Sequence, residues 1–177
     1  KPGDTLILDD FFNIKAGASI GFPSNVTLAA EYGGGLNITN TASTDKPIIF
    51  LGDGNTVDNV TITADGTPNT GFDGQKPVRG EDFHPAKVFG VFNSDGVTVL
   101  NSAFSGNVGM FLDVRESDDL VIKDTHFEGG FYQVRLMGTE DTFISGSHFE
   151  DSLGDGIKTE RVGEFGAQRI TVIDSLF

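Results

Sequence analysis

One eight-residue phrase recurs four times in the second half of this chain, and it constrains the fold more than any other feature. Each copy begins with alternating apolar residues and ends in phenylalanine, and the copies occupy residues 97–104, 120–127, 142–149 and 170–177. The closing residues Phe104, Phe127, Phe149 and Phe177 are therefore 23, 22 and 28 positions apart. A recurring spacing in this range is the signature of a stacked-repeat architecture.

A second strand-like pattern accompanies each copy, at residues 89–92, 112–115, 134–137 and 157–160. Apolar residues that recur with a period of two are typical of β-strands. No stretch of 11 or more residues has a convincing helical pattern. Two or three short strands in each repeat of about 22 residues predict an all-β fold, a parallel β-helix in which every coil stacks on the one before it.

Equivalent positions of successive repeats should form columns along such a solenoid. The four closing phenylalanines are predicted to form one inward stack. The hydroxyl residue two places earlier should form a second column: Ser102, Thr125, Ser147 and Ser175. The position before that is Asn101, Asp124, Gly146 and Asp174. These residue types tolerate left-handed backbone geometry, which suits a bend between two strands.

The charge balance limits the classes of ligand. Among 177 residues, 26 acidic and 12 basic side chains give a formal net charge of −14, which argues against nucleic acid, because phosphate binding needs a basic surface. The charge is compatible with divalent cations, with an anionic substrate met by a local basic patch, or simply with solubility. The chain has no cysteine, and no apolar run approaches the 18 residues of a membrane span.

The length and the repeats predict a single domain over residues 1–177. We expect irregular first coils over 1–45, a long inserted loop over 64–86 and regular coils over 88–177. The inserted loop is long enough to be functional. Because the last residue falls inside a repeat, we expect a further chain segment or another subunit to cover that end, as in a fragment of a longer solenoid.

Aligning the second strands predicts a grid of outward-facing side chains. The central column is Gly90, Asp113, Arg135 and Lys158; the next column is Phe92, Arg115, Met137 and Glu160; the flanking column is Val88, Phe111, Gln133 and Gly156. Tyr132 has the opposite parity and is expected to face inward. Since neighbouring parallel strands lie about 4.8 Å apart, Asp113, Arg135 and Lys158 should be near neighbours. This acidic chain is therefore expected to concentrate cations on this one face.

Two interpretations of this grid stay open. In the first, it is a solvated face with cross-strand ion pairs that each contribute well under about 1 kcal/mol. In the second, it is a groove for an anionic polymer, because arginine suits bidentate recognition of carboxylates. A lysine beside another cation has a lowered pKa and can then act as a base.

The histidines give weaker signals. His126 and His148 occupy the same position of successive repeats and should stack on one another. Such a pair could bind a metal, but no carboxylate shares its column, so a structural ladder is the favoured interpretation. His84 lies in the long loop after Asp82 and is freer to act. The sequence contains no phosphate-binding loop, zinc-ligand spacing or Ser-His-Asp arrangement.

The repeated phrase, with residues 2–7 and 45–49, resembles the right-handed parallel β-helix proteins that act on acidic polysaccharides. These are pectate-lyase-like, alginate-lyase-like and chondroitinase-B-like lyases and mannuronan C5-epimerases, and the resemblance covers most of the chain from residue 46 onward. It implies an extracellular protein whose ligand is a uronic-acid polysaccharide. In these families a cation or metal neutralises the uronate carboxylate and a Lys, Arg, His or Tyr removes the C5 proton, which leads to elimination or epimerisation.

By position in the grid, the resemblance implies Lys158 as base, Arg135 and Arg115 as carboxylate clamps, and His84 or Tyr132 as acid. The neighbouring substrate-binding candidates are Asp113, Glu160, Gln133 and Phe111. A bound Ca²⁺, held by Asp or Glu, is implied by the family and the acidic charge.

No catalytic residue is carried over by motif. The epimerase run Asp-Pro-His-Glu is absent, its nearest match being residues 82–85, and the pectate-lyase run Arg-x-Pro-x-x-Arg is absent too. The alternatives are a non-catalytic polysaccharide-binding or structural solenoid, such as an adhesin or phage tailspike segment, or a fragment lacking its catalytic coils, because one fold serves many functions.

Overall fold

The structure, a computed structural model, describes residues 1–15, 19–39, 46–65, 72–73, 76–77 and 86–177. These residues form β-strands joined by turns and bends, with no helix among them, so no described segment has the helical length and apolar character needed to cross a membrane. The strands are β1 Thr5–Leu8, β2 Phe11–Lys15, β3 Ile20–Gly21, β4 Thr27–Ala30, β5 Gly35–Thr39, β6 Ile49–Leu51, β7 Thr56–Asp58, β8 Thr61–Asp65, β9 Phe72–Asp73, β10 Lys76–Pro77, β11 Lys87–Phe92, β12 Thr98–Leu100, β13 Ala103–Gly106, β14 Met110–Arg115, β15 Val121–Lys123, β16 His126–Gly129, β17 Tyr132–Met137, β18 Phe143–Ser145, β19 His148–Glu150, β20 Asp155–Glu160 and β21 Thr171–Ile173.

Three parallel sheets run along the molecule. Sheet 1 contains β1, β4, β7, β12, β15, β18 and β21; sheet 2 contains β2, β5, β8, β13, β16 and β19; sheet 3 contains β3, β6, β11, β14, β17 and β20. Only β9 and β10, among the described strands, pair antiparallel. Each coil thus adds one strand to each sheet, and the predicted parallel β-helix is confirmed.

The phenylalanine column is the clearest confirmed prediction. Phe104 pairs in register with Phe127, and Phe127 with Phe149. Their rings stack nearly parallel, with centroids 4.9 and 5.0 Å apart, and Phe177 adds a further 5.0 Å step. The spacing of the rings follows from the distance between parallel strands of about 4.8 Å, so the sheet register itself packs the core.

Hydroxyl groups and bends tie successive coils together as predicted. The hydroxyl of Ser147 donates to the carbonyl of Ser145 in its own coil and accepts the amide of Thr125 from the coil before. Ser102 makes the same pair of bonds with Leu100 and Val60. The preceding positions (Asn101, Asp124, Gly146 and Asp174) all have positive φ, from 48° to 57°. From Asn59 onward, the bend after each strand of sheet 1 therefore has one left-handed residue.

The entry into sheet 3 departs from the predicted alternation. Val88 and Phe89 are consecutive, yet both are fully buried in the apolar core, as are Phe111 and Leu112. The register pairs Lys87 with Met110 and Phe89 with Leu112 but no pair forms between them. Because the chain turns a corner here, strict alternation fails, and the prediction that Val88, Phe111, Gln133 and Gly156 form an outward column is wrong at its buried members.

The first coils pair as regularly as the later ones: β1 with β4, β2 with β5 and β3 with β6 are all parallel and in register. In the part of residues 1–45 that the structure describes, the strands are thus regular in their pairing, and the division of the chain into irregular and regular coils stays a prediction. Most of the predicted inserted loop over 64–86, including His84, lies outside the described residues.

Candidate functional site

Seven side chains at the outer surface of sheet 3, on β14, β17 and β20, form what we call the charged face: Asp113, Arg115, Tyr132, Arg135, Asp155, Lys158 and Glu160. The register aligns Asp113 with Arg135 and Arg135 with Lys158. Tyr132 is aligned with Asp155, and Met137 with Glu160. The parallel register therefore places the unlike charges of Asp113 and Arg135 side by side in one column, where strands about 4.8 Å apart bring the two side chains into contact.

Asp113 lies at the centre of an arginine pair. Its carboxylate accepts bonds from Nε and Nη2 of Arg135, both at 2.9 Å, and from Nε and Nη2 of Arg115, at 3.1 and 2.8 Å. The carboxylate is fully buried, and the Arg135 side chain is 11% exposed. The expectation of a solvated set of ion pairs is wrong for these two contacts, because charges withdrawn from water interact more strongly but must be fully paired.

The two arginines differ in what they present to solvent. Arg135 is also 3.5 Å from Glu160, so its guanidinium is held on two sides by carboxylates. The Arg115 side chain is 33% exposed, and its guanidinium carbon lies 4.7 Å from the centroid of Phe92. A cation over an aromatic ring is attracted to the ring face. Arg115 is thus the more accessible of the two arginines, and Arg135 is held mainly by Asp113 and Glu160.

Lys158 and Tyr132 form the second accessible pair. The Lys158 ammonium lies 5.6 Å from the centroid of the Tyr132 ring and 3.2 Å from the Asp155 carboxylate. The hydrogen bond to Asp155 raises the pKa of Lys158 above its ordinary value. Partial burial raises the pKa of the Tyr132 phenol, while the charge of Lys158 acts in the opposite direction. Both groups therefore hold their protons at neutral pH.

These observations correct three details of the predicted grid. Tyr132 does not face the core; it lies half-buried on the outer surface, because the corner shifts the parity by one residue. The lowered pKa expected for Lys158 is also wrong, since its nearest partner is a carboxylate rather than a cation. Asp113 faces outward as predicted but is fully covered, so it positions the arginines and has no surface for a ligand.

Phe111 and Gln133 do not belong to this face. The Phe111 ring packs in the core, 5.9 Å from the Phe104 ring and 6.3 Å from the Phe127 ring. The Gln133 amide is buried, and the two N–H groups of its Nε2 are shared among three backbone carbonyls, those of Phe127, Gly129 and Glu150. Neither side chain has surface with which to contact a substrate.

Sequence reasoning missed Asp155, the carboxylate that holds Lys158. Asp155 precedes the recognised strand pattern at 157–160 by two residues, and the alternation that would have placed it outward is interrupted at the corner. Asp155 occupies the same position of its repeat as Tyr132, since both are the first residues of their strands. This equivalence was the sequence signal that could have placed Asp155 beside Tyr132. An open groove of about 270 Å³ adjoins this end of the face and is lined by Thr159, Glu160, Arg161, Gly166 and Ala167.

No protein-family model matches the chain, and no curated protein matches it. Solved structures do. A candidate glycosyl hydrolase from Parabacteroides merdae has a TM-score of 0.65 at 12% identity, with 97% of this chain and 81% of that chain covered. PfbA, a surface adhesin of Streptococcus pneumoniae, has a TM-score of 0.65 at 13% identity, covering 98% and 49%. A hyperthermoactive exopolygalacturonase from Thermotoga maritima has a TM-score of 0.56 at 14% identity, covering 84% and 45%.

At these identities the likeness concerns the fold alone. The chain is a right-handed parallel β-helix protein, as the sequence predicted. It spans about four-fifths of the Parabacteroides protein and about half of each of the other two. The neighbours include a candidate hydrolase, a hydrolase and an adhesin, so the fold does not choose between catalysis and binding.

Proposed function

We propose that the charged face binds an acidic, uronic-acid polysaccharide outside the cell, with Lys158 and Arg115 as the carboxylate-binding cations. The observation that carries this proposal is that both cations lie over aromatic rings, Lys158 over Tyr132 and Arg115 over Phe92. An aromatic ring orients a cation without neutralising its charge. Each cation also contacts a carboxylate, Arg115 that of Asp113 and Lys158 that of Asp155, so a ligand carboxylate would share or replace that partner while the ring holds the cation in place.

The local charge makes this face suitable for an anion on an acidic chain. Over the whole chain the net charge is −14, whereas the charged face balances three cations (Arg115, Arg135 and Lys158) against three carboxylates (Asp113, Asp155 and Glu160). Asp113 is buried and Glu160 faces Arg135. The main internal competitor of a bound uronate is therefore Asp155, which is 49% exposed and holds the Lys158 ammonium.

The neighbouring structures support the class of ligand and the location only by analogy. One is described as an exopolygalacturonase and another as a surface adhesin. Solenoids offer extended surfaces, and one fold can serve both kinds of protein. On this proposal the chain acts at a cell or virion surface or in the medium.

Isothermal titration with polygalacturonate, alginate and chondroitin sulfate at low ionic strength tests the proposal. Lys158→Met should lower the affinity about fivefold, the upper range for a partly exposed ion pair. Asp155→Asn should raise it, because it releases Lys158 from its internal partner. Lys123→Met is the matched control: this lysine is 57% exposed but lies on sheet 1, and its loss should change the affinity little.

Two results would contradict the proposal. Equal losses in Lys158→Met and Lys123→Met would show that only overall charge matters. Equal binding of a neutral glucan would show that carboxylate recognition is not the basis of affinity. Added salt should weaken the specific binding, because the contacts are partly exposed and are screened.

A second candidate is C5 proton abstraction on the same polymer, as a lyase or C5-epimerase. The phenol of Tyr132 beside the Lys158 ammonium favours it, because an enolate-like intermediate needs a cation at the carboxylate and a proton donor nearby. In elimination, the electrons of the C5–H bond form the C4–C5 double bond, the C4–oxygen bond breaks, and the leaving oxygen takes a proton. His84 as acid remains a prediction, since it lies outside the described residues.

The base is the demanding part of that reaction. Lys158 keeps its proton at any pH below its raised pKa. At neutral pH it can therefore pair with a carboxylate, and it can act as a base only in alkaline solution. Ca²⁺ remains an expectation from resemblance, but the donors on this face do not fit it. Each of its carboxylates is engaged by a cation, whereas calcium needs six to eight oxygen ligands.

Proton NMR of the same polymers in D₂O separates the two candidates. Loss of the H5 signal establishes proton abstraction, and new vinyl signals identify a lyase rather than an epimerase. If Lys158 is the base, the rate should keep rising with pH to beyond 10.5, because only the neutral amine reacts. Unchanged spectra with retained binding would leave the non-catalytic solenoid as the function.

A further inference from the structure

Two histidines and one glutamate converge at the outer surface of sheet 2, outside the charged face. The rings of His126 and His148 stack at 5.1 Å with an interplanar angle of 14°. Nε2 of His126 is 2.7 Å from Oε1 of Glu150, and Nε2 of His148 is 3.7 Å from Oε2 of the same residue. One ligand atom from each of the three residues lies within 4.8 Å of the others.

The fold explains why these residues meet. His126 and His148 are direct partners in the parallel register of β16 and β19, and Glu128 and Glu150 are the next outward pair. In a strand, residues two apart share one face. Glu150 therefore lies beside His148 and leans back across the strand gap toward His126. The sequence places no carboxylate in the histidine column itself; the carboxylate comes from the adjacent column instead.

We propose that His126, His148 and Glu150 bind a divalent transition-metal ion, with Zn²⁺ as the best fit. Imidazole nitrogens with one carboxylate oxygen are a donor set that zinc takes at about 2.0–2.2 Å. Three protein ligands leave a fourth position for water or for an oxygen of a ligand. The site is distinct from the proposed polysaccharide face, and its oxygen-poor donor set excludes calcium as the preferred ion.

The geometry requires only side-chain movement. Ligands at about 2.1 Å in a tetrahedron lie roughly 3.4 Å from one another. The distances from the two histidines to the Glu150 carboxylate, 2.7 Å to Oε1 and 3.7 Å to Oε2, are already close to this value. The two histidine side chains and the glutamate are each 40–44% exposed, so rotation of the rings toward a shared ion meets little packing resistance.

A purely structural ladder is the competing explanation, and it predicts different behaviour. In a ladder, the Glu150 carboxylate accepts a hydrogen bond from His126 and the second ring stacks for packing alone. Removal of either ring would then affect stability slightly and metal binding not at all. A metal site instead requires both rings and the carboxylate together.

Calorimetric titration of the metal-free full chain with Zn²⁺ provides the test, with histidine ring-proton NMR as a second readout. We expect one saturable equivalent and movement of two of the three histidine signals. Glu150→Gln should weaken binding by about tenfold or more, and the double variant His126→Ala/His148→Ala should abolish saturable binding. Glu128→Gln is the matched control, because this exposed glutamate occupies the same column one coil earlier.

Several outcomes would overturn the proposal. Saturable binding that survives in the double histidine variant would place the ion elsewhere. Equal weakening by Glu128→Gln and Glu150→Gln would indicate diffuse attraction of cations to an acidic surface. Histidine signals that stay fixed in the wild-type chain would contradict the ligand assignment without relying on any variant. Circular dichroism confirms that each variant is folded before it is compared.

Discussion

Replacing Asp113 with asparagine tests whether the charged face is a buried network or a solvated surface. Asp113→Asn keeps the side-chain shape but removes the charge that four guanidinium N–H groups share. It also places an amide donor against an arginine donor. The change should therefore leave two cations with no common counter-charge.

The size of the effect follows from burial. Breaking a buried ion pair by removing one partner costs about 3–5 kcal/mol. Asp113 is fully buried and Arg135 nearly so, whereas a third of Arg115 is exposed and can regain water. We therefore expect a loss near the lower end, about 3 kcal/mol. With a urea m-value of about 2–3 kcal/mol/M, the unfolding midpoint should fall by about 1–1.5 M.

Equilibrium urea unfolding followed by circular dichroism measures this shift. Asp141→Asn is the control, because Arg169 binds Asp141 with the same two-pronged geometry at 2.6 and 2.7 Å on an exposed surface. That variant should shift the midpoint far less, since exposed pairs contribute little. If Asp113→Asn moves the midpoint no more than Asp141→Asn does, Asp113 is not a buried counter-charge and the account of the face fails.

Two further predictions address the core and the tyrosine. Phe127→Ala should lower the free energy of unfolding by about 3–5 kcal/mol, because the ring is fully buried and stacked on both sides. Phe177→Ala, at a residue that is 71% exposed, should lower it far less in the same urea assay. Similar losses in the two variants would contradict the stack as a source of stability. In a Tyr32→Phe background, near-ultraviolet absorbance should show the Tyr132 phenol titrating with a pKa above 10.0, and Lys158→Met should raise it further by removing the cation that lowers it. The folded state then gains stability from the neutral phenol below pH 10, and this gain is lost as the pH rises through the raised pKa; a pKa that falls in the lysine variant would refute the contact.

The inward columns were predictable from the sequence because they repeat one residue type at one spacing. Phe104, Phe127 and Phe149 needed only the period and the parallel register to be placed in a stack. The bends were predictable for the same reason, since Asn101 and Asp124 belong to the few residue types that accept a positive φ. Because the pattern repeats, the positions of these residues could be predicted without knowing any other long-range contact in the fold.

The outer face was only partly predictable because it depends on where each strand starts. The alternation placed Asp113, Arg135 and Lys158 in one column correctly, but it ran through the corner and put Phe111 on the wrong side. No sequence signal distinguishes an alternating residue in a strand from the first residue after a corner. A carboxylate that crosses from one column to the next, as Glu150 does toward His126, was likewise invisible to a reading by columns.

The same strand spacing that stacks like residues in the core has the opposite consequence outside. In the core, the distance of about 4.8 Å between strands stacks each phenylalanine ring on the next, so identical apolar residues pack against one another. Outside, like charges at that spacing repel, and Arg135 is the direct neighbour of Lys158. Each of these cations is therefore held by carboxylates, Arg135 by Asp113 and Glu160 and Lys158 by Asp155. A ligand carboxylate must then replace an internal carboxylate rather than fill an empty site. Binding on this face is therefore an exchange of partners, and the affinity is set by the internal pair that the ligand displaces. For this reason Asp155→Asn is more informative than the removal of a cation. An increase in affinity larger than the loss of one exposed negative charge elsewhere on the chain produces is expected only if the exchange takes place at Lys158.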